Sequence, residues 1–357
     1  MKIGIIHPYF DVLGGAEITT LSLIKGLKKT SHQLTLYTIE PAKIVETNNF
    51  KIHKIKKNNF SSFWRYQRLK EVQKLFKASL NEELLVIMSG GLTLKDTNMK
   101  NVLLYCNSTF SGEESLLQNK DHDVRGLYLK VLQKNIQKSI KYLQSSRVKL
   151  ISNSIFTKSE IKKRFQKDSM VIYPPVRISK FVKLSNIKKT KKVITISRFS
   201  PEKNLDFAVD VMKMSGFDYE LIGNAKHGKQ MKDFNKLKKS SGNKIKLFCN
   251  IQEAKIGELL SSAKVYLHAS QETFGISVVE AIAAGCIPIV PDNSAHKETV
   301  PFTELRYMNK QDCLNKIKNA LDAKYDNLLP KLKDHVTKFS EEKFQKNMLE
   351  IIHNLQN

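Results

Sequence analysis

The sequence predicts an α/β protein built from two doubly wound domains, and three observations carry that expectation. At 357 residues the chain is longer than one hydrophobic core usually serves. Short apolar runs alternate with longer amphipathic segments, the rhythm of parallel strands joined by helices. This rhythm runs twice, with a break rich in proline and lysine between the two series.

In the first series, residues 2–9, 33–39, 84–89, 101–106 and 148–154 read as buried strands, and 16–27 and 62–80 carry helical spacing. In the second, residues 192–199, 219–223, 244–249, 264–270 and 286–291 read as strands, with helices at 205–214 and 276–284. The break begins at Tyr173-Pro174-Pro175-Val176 and continues through the lysine-rich 186–192. It places a first domain over 1–175 and a second over 176–338. From Phe339 onward, Phe344, Met348, Ile351 and Ile352 are spaced as on a helix that no strand follows.

Apolar residues make up 41% and aromatics 8%, ordinary for a globular protein. Cys106, Cys249, Cys286 and Cys313 are far apart and form no CxxC pair, so they read as reduced thiols of a cytoplasmic protein rather than disulfides or a zinc site. The opening ten residues are too short for a signal-peptide core and read as a strand. No stretch approaches the roughly 20 apolar residues needed to span a bilayer. Sixty Lys+Arg against 34 Asp+Glu give a formal charge of +26. That charge favours anionic partners, although lysine is abundant along the whole chain and general composition explains the excess equally well.

Ligands of open α/β sheets bind beyond the carboxyl ends of the strands, so the strand-to-helix loops hold the candidate site. The first is 11–17, where Gly14 and Gly15 let a phosphate or sugar approach the backbone before a helix N-terminus. It is not a spaced GxGxxG, which disfavours a dinucleotide, and a plain tight turn is the alternative. The second is 197–204, where Arg198 offers a planar fork and Lys203 a mobile charge to a diphosphate; a solvated basic loop is the alternative. The third is 268–280. Here the amides from Gly275 onward would face an anion at a helix start. Glu272 and Glu280 lie too far apart for a close acid/base pair and would reach opposite parts of one ligand. Complementing the helix dipole is the alternative role for Glu272. It suits Glu280 poorly, since Val278, Val279, Ala281 and Ile282 flank that acid.

Taken in order, these segments resemble glycosyltransferase family 4, retaining enzymes of the GT-B fold. The resemblance spans nearly the whole chain: Gly14 to Glu17, Ser152 to Lys158, Val171 to Val176, Arg198 to Lys203, and the E-x7-E motif from Glu272 to Glu280. His7-Pro8-Tyr9-Phe10 and Pro174-Pro175-Val176 are most similar to the branch that builds mannose-containing lipid-linked glycans. The resemblance implies two Rossmann-like domains facing across a cleft, with the C-terminal helix 339–357 returning to the first domain. It implies that Gly14 and Gly15 approach the donor and that Arg198 and Lys203 neutralise the departing diphosphate. Glu272 and the amides of 274–276 would hold the transferred sugar and phosphate, and Glu280 the ribose. Relatives often carry Tyr-x-His where this chain has Tyr105-Cys106-Asn107. Asn107 retains hydrogen bonding to a sugar hydroxyl but cannot share a proton as histidine does. Asn250 stands where relatives usually have glycine near the base.

The expected activity is therefore transfer of a hexosyl group from a nucleotide diphosphate sugar to a glycan or lipid-linked acceptor, without metal or organic cofactor. Asp121-His122-Asp123 matches the D-x-D pattern of a different, manganese-binding fold but sits in a polar stretch ahead of the basic helix 128–143, where a surface loop or cap accounts for it. Phe60, Phe63, Trp64 and Tyr66, with Arg65, Arg68, Lys70, Lys74 and Lys77, form a stretch suited to an anionic membrane surface on the cytoplasmic side. Leu69, Val72, Phe76 and Leu80 also give it the spacing of a helix that covers a sheet. Two rival readings are a nucleotide-sugar epimerase of the same fold and a basic nucleic-acid-binding protein on an inactive transferase scaffold. No RRM, KH or zinc pattern supports nucleic acid.

Overall fold

The computed structural model describes residues 1–10, 14–39, 50–56, 64–89, 99, 101–110, 124–183, 187–225 and 228–355, without the side chains of 64–66 and 124–129. The chain divides into two compact units, Met1–Pro175 with Glu342–Asn357, and Val176–Glu341.

Unit 1 runs β1 (Lys2–Ile6), α1 (Gly15–Leu27), β2 (Gln33–Thr38), β3 (Lys51–Lys54), α2 (Trp64–Ala78), β4 (Leu84–Ile87), β5 (Val102–Cys106), α3 (Val124–Gln144), β6 (Val148–Ser152), α4 (Ile155–Phe165) and β7 (Met170–Val171). Its strands are all parallel, in the order β3-β2-β1-β4-β5-β6-β7. Successive side chains point to opposite faces, so continuous apolar runs feed two cores. Leu84 and Val86 pack with Leu23, Leu27 and Ile5 on one face. Leu85 and Ile87 pack with Val72, Phe76 and Leu143 on the other. Leu69, Val72 and Phe76 thus put α2 against the sheet, while Leu80, beyond its end, is 46% exposed. The edge strand β3 reads KIHK and is mostly exposed, so it lacks the apolar run that would announce it.

The C-terminal helix (Glu341–His353) buries Phe344, Met348 and Ile352 in unit 1. Phe344 meets Tyr105 edge-on at 5.9 Å, and Gln345 Nε2 donates to Ser22 O at 3.2 Å. A Cβ on Gly26 would come within 3.1 Å of Gln345 Cγ, so the close approach of this helix needs glycine there. The helix begins two residues after the expected Phe339, because Phe339 is buried in unit 2 with its ring 5.0 Å from Phe274.

Unit 2 runs α5 (Ile178–Val182), β8 (Thr190–Ile196), α6 (Leu205–Ser215), β9 (Asp218–Gly223), α7 (Gly228–Ser240), β10 (Ile245–Cys249), α8 (Glu253–Ser262), β11 (Ala263–Leu267), α9 (Ile276–Ala283), β12 (Ile287–Pro291), the single turn α10 (His296–Thr299), β13 (Arg306–Tyr307), α11 (Lys310–Leu321) and α12 (Leu329–Val336). Its parallel sheet has the order β10-β9-β8-β11-β12-β13. Connections from β8 lead one way and those from β11 the other. The switch point, where such sheets open a crevice, therefore lies between β8 and β11. Both loops singled out in this half of the sequence leave the sheet there. Val176 and Ser340, at the two ends of the unit, are paired by a parallel bridge. The four cysteines are unpaired, and Cys106, Cys286 and Cys313 are buried.

Candidate functional site

The loop after β8 turns through a short 3-10 segment, Pro201–Lys203, which presents Lys203 toward the loop after β11. Lys203 Nζ donates to Glu272 Oε1 at 2.6 Å, with both side chains largely buried. The same oxygen accepts from Ser270 Oγ at 3.2 Å and lies 3.2 Å from His268 Nε2. Every one of these contacts ends on Oε1. Burial opposes ionisation of Glu272, but the hydrogen bond and charge of His268 and the charge of Lys203 outweigh it and hold the carboxyl far below the usual range. Its backbone is clamped as well: Glu272 N–H donates to Ser294 Oγ and Glu272 O accepts from Ala295 N–H, both at 3.2 Å.

Helix α9 opens at Gly275, which caps it in the left-handed region, φ +90°, without a side-chain bond. The first amides of a helix have no partner within it, and here no acidic residue occupies the first turn to compete with an anion. His296 packs behind this turn. Its Cε1 lies 3.4 Å from where a Gly275 Cβ would be, and its Nε2 is 3.0 Å from Ser270 O. Burial, reinforced by the neighbouring His268, lowers its pKa to about 3, so the ring is neutral and donates from Nε2. Phe274 is buried beneath the loop.

Glu280 lies farther along α9, half-buried among apolar neighbours. Burial pushes its carboxyl up to about 7, against a partial pull from Arg177 and Lys180. Those two cations share Glu253 Oε1, at 2.8 and 2.6 Å. Arg198 is exposed, and Glu202 Oε1 lies 3.7 Å from its guanidinium. Of the residues expected in this half, the structure therefore brings Lys203 and Glu272 into contact and sets the Gly275 turn beside them. Arg198 reaches solvent, free to move toward an anion.

In unit 1, Gly14 caps α1 and Glu17 turns back to accept from Gly14 N–H at 2.9 Å. Glu17 also lies 3.3 Å from Nε2 of the fully buried His7, whose Nδ1 is 2.8 Å from Thr20 Oγ1. A side chain on Gly14 would meet the Glu17 carboxylate at 3.0 Å, and Gly15 is exposed at the first turn. Asp11, Val12 and Leu13 lie outside the described residues. Asn107 follows β5, and its Nδ2 donates to Met88 O at 2.8 Å, so its amide braces the end of β4.

Sequence reasoning placed His268 and Ser270 in the loop 268–280 without giving either a role, and missed Ser294 and His296. The spacing of these residues along the chain gives no sign that they converge. Asn250 has a local cause. It sits at φ +55°, where asparagine is tolerated in place of glycine, and its amide makes two bonds to the backbone of Ala225, at 3.0 and 3.1 Å. Among the described residues no three His, Cys, Asp or Glu side chains form a group that could hold a metal ion, and no helix is long and apolar enough to cross a membrane. Asp121 and Asp123, like Phe60 and Phe63, lie outside the described residues, as do the side chains of Trp64, Arg65 and Tyr66.

Residues 176–324 match the family described as Glycosyl transferases group 1. A curated relative, the GDP-Man:Man(3)GlcNAc(2)-PP-Dol alpha-1,2-mannosyltransferase of Dictyostelium discoideum, is 26% identical over 277 residues, 68% of this chain. The chain spans about half of that relative's length, 54%. A glycosyltransferase from Rickettsia africae superposes with a TM-score of 0.70 at 17% identity, covering 100% of this chain and 98% of that one. Anabaena HepE, solved in complex with UDP-glucose, gives 0.74 at 15% identity, covering 99% and 100%. Residues 176–324 of the second unit are thus similar to group 1 glycosyl transferases, and the chain shares the two-domain α/β fold, GT-B, of these solved glycosyltransferases.

Proposed function

We propose that the protein transfers a hexosyl group, with retention of configuration, from a nucleotide diphosphate sugar to a glycan or lipid-linked acceptor, and that it needs no metal. The observation that carries this reading is the Lys203–Glu272 pair beside the turn at Gly275, which has no side-chain cap, with Glu280 farther along the same helix. Lys203 and the amides of Phe274, Gly275 and Ile276 offer positive charge to a departing diphosphate, and Arg198 is free to join them. Glu272 Oε2 accepts a hydroxyl of the transferred sugar, and Glu280 accepts the ribose hydroxyls. The acceptor hydroxyl attacks from the face of the leaving diphosphate, and a donor phosphate oxygen takes its proton. For Gly14, Gly15 and Asn107 the support is the family resemblance. Glu17 caps the helix start at Gly15 from within, and Asn107 Nδ2 donates to Met88 O.

Mannose as the sugar and a lipid-linked glycan as the acceptor are supported by the name of the Dictyostelium relative. The cytoplasmic face of an anionic membrane is the setting we propose. Gln73 on α2 donates to Asn135 on α3 at 3.1 Å, so these two helices lie side by side. Lys70, Lys74 and Lys77 of one and Lys130, Lys134, Lys138 and Lys141 of the other are exposed.

Calorimetry with UDP, GDP and ADP, beside a single-turnover transfer assay run in EDTA, tests the division of roles. Glu280→Gln should weaken binding of the free nucleoside diphosphate by about 1.5–3 kcal/mol, the worth of a hydrogen bond to a charged group. Glu272→Gln should leave that affinity nearly intact and depress transfer. Equal losses of affinity in both folded variants would reduce the two acids to supports of the loop. Product formed without any acceptor would turn the reading to an epimerase.

A further inference from the structure

Unit 2 holds a concavity beside the Lys203–Glu272 pair, of ≈ 250 Å³. It opens at the carboxyl ends of β11, β12 and β13, the rim on which open α/β sheets bind ligands. None of Arg198, Lys203, Glu272, Gly275 and Glu280 lines it. One wall is aromatic: Phe207, from the first turn of α6, stacks on Tyr307 with ring centroids 5.4 Å apart and planes inclined by 11°. Tyr307 is fixed in place by its hydroxyl, which donates to His268 O at 3.0 Å. Asn204, Gln271, Asp292 and Asn293 supply polar groups to the lining, and Ala269, Pro291 and Met308 complete it. Asp292 is compensated, since Arg306 Nε donates to it at 2.7 Å and Lys297 Nζ lies 3.8 Å away.

This lining selects a class of ligand. Three carboxamides, each both donor and acceptor, match hydroxyl groups, which are also both. A pocket whose one carboxylate is already paired offers nothing to a phosphate. The apolar face of a sugar ring packs on an aromatic plane. The volume falls just below the range of about 300–1,000 Å³ typical of drug-sized ligands, which suits one ring rather than a nucleotide sugar. We propose that this pocket is a second saccharide site, taking a single neutral pyranose separate from the donor. Its choice of ligand rests on the transferase reading above. The site is also joined to the donor loops. Asn204 follows Lys203, Gln271 precedes Glu272, and Asn204 Nδ2 donates to Ala269 O at 3.2 Å, tying one loop to the other. A ring held there stiffens both.

The test is saturation-transfer NMR of methyl α-mannoside and methyl α-glucoside on the full chain, with and without saturating nucleoside diphosphate. At least one glycoside should bind and stay bound when the diphosphate is present. Gln271→Ala, which removes an exposed amide, and Phe207→Leu, which keeps the apolar bulk and removes the aromatic plane, should each weaken it by about three- to ten-fold. Glu280→Gln should leave it unchanged. Absence of signal from both glycosides overturns the proposal. So does binding that ignores Gln271→Ala and Phe207→Leu but disappears in Glu272→Gln, which would put the ring in the donor site. Failure of every diphosphate to bind, with glycoside binding still dependent on Gln271 and Phe207, would remove the donor reading and leave this one standing.

Discussion

Glu280→Gln should make the protein more stable while making it a poorer binder. In the folded chain burial holds the Glu280 carboxyl up at about 7, where an ordinary glutamate titrates near 4.5. The folded state therefore binds this proton more tightly than the unfolded chain does. Between those two values folding takes a proton up, so stability falls as pH rises through the window, and the full cost persists above it. The displacement corresponds to about 3 kcal/mol, trimmed to about 2 by the solvent that still reaches the side chain. Glutamine keeps the shape and loses the charge. At about pH 8 the variant should exceed the parent by about 2–3 kcal/mol, roughly 4–12 °C in melting temperature, and the gap should close as pH falls toward 4.5. Calorimetric melts of both proteins across that range measure it. A separation that stays constant with pH would refute the reasoning, because it would mean that Glu280 is not held protonated by its site. A purely structural acid would instead lose stability on substitution. A gain in stability joined to a loss of diphosphate affinity is the mark of a group kept at a local cost for its ligand.

Two other consequences are open to direct measurement. Gly275→Ala places a Cβ at φ +90° and 3.4 Å from His296, so unfolding in urea should show a loss of about 1–2 kcal/mol, and unchanged stability would deny the left-handed cap. Replacing Lys74, Lys77 and Lys138 by glutamine should lower sedimentation onto anionic vesicles by about 1 kcal/mol per lysine at low salt, and equal binding of the parent to neutral and anionic vesicles would end the membrane proposal.

What could be read from the chain was whatever depends on neighbours in sequence. The runs that became β4 and β12 are apolar throughout because both faces of a parallel strand are covered. Ser154, expected at the end of a strand, instead caps the next helix, its hydroxyl accepting from Thr157 N–H at 2.9 Å. Polar β3 and two-residue β13 have no periodicity to detect. The candidate loops were legible because their glycines, acids and basic residues lie at strand ends. The links between them were not, because Lys203 and Glu272 are 69 residues apart and only the sheet order brings them together. Gly223 makes the same point: a Cβ there would lie 2.3 Å from Ser197 O, a demand visible only once β9 lies against the loop after β8.

Those links explain how the site can exist without a ligand. Removing one partner of a buried ion pair costs about 3–5 kcal/mol when the other charge is left uncompensated. A diphosphate that draws Lys203 away would impose that cost on Glu272 if Lys203 were its sole partner. It is not, because His268 and Ser270 reach the same oxygen at 3.2 Å and remain when the lysine leaves. On the proposed donor reading, His268 and Ser270 would therefore act as a counterweight that lets Lys203 be exchanged between Glu272 and an arriving phosphate at small net cost.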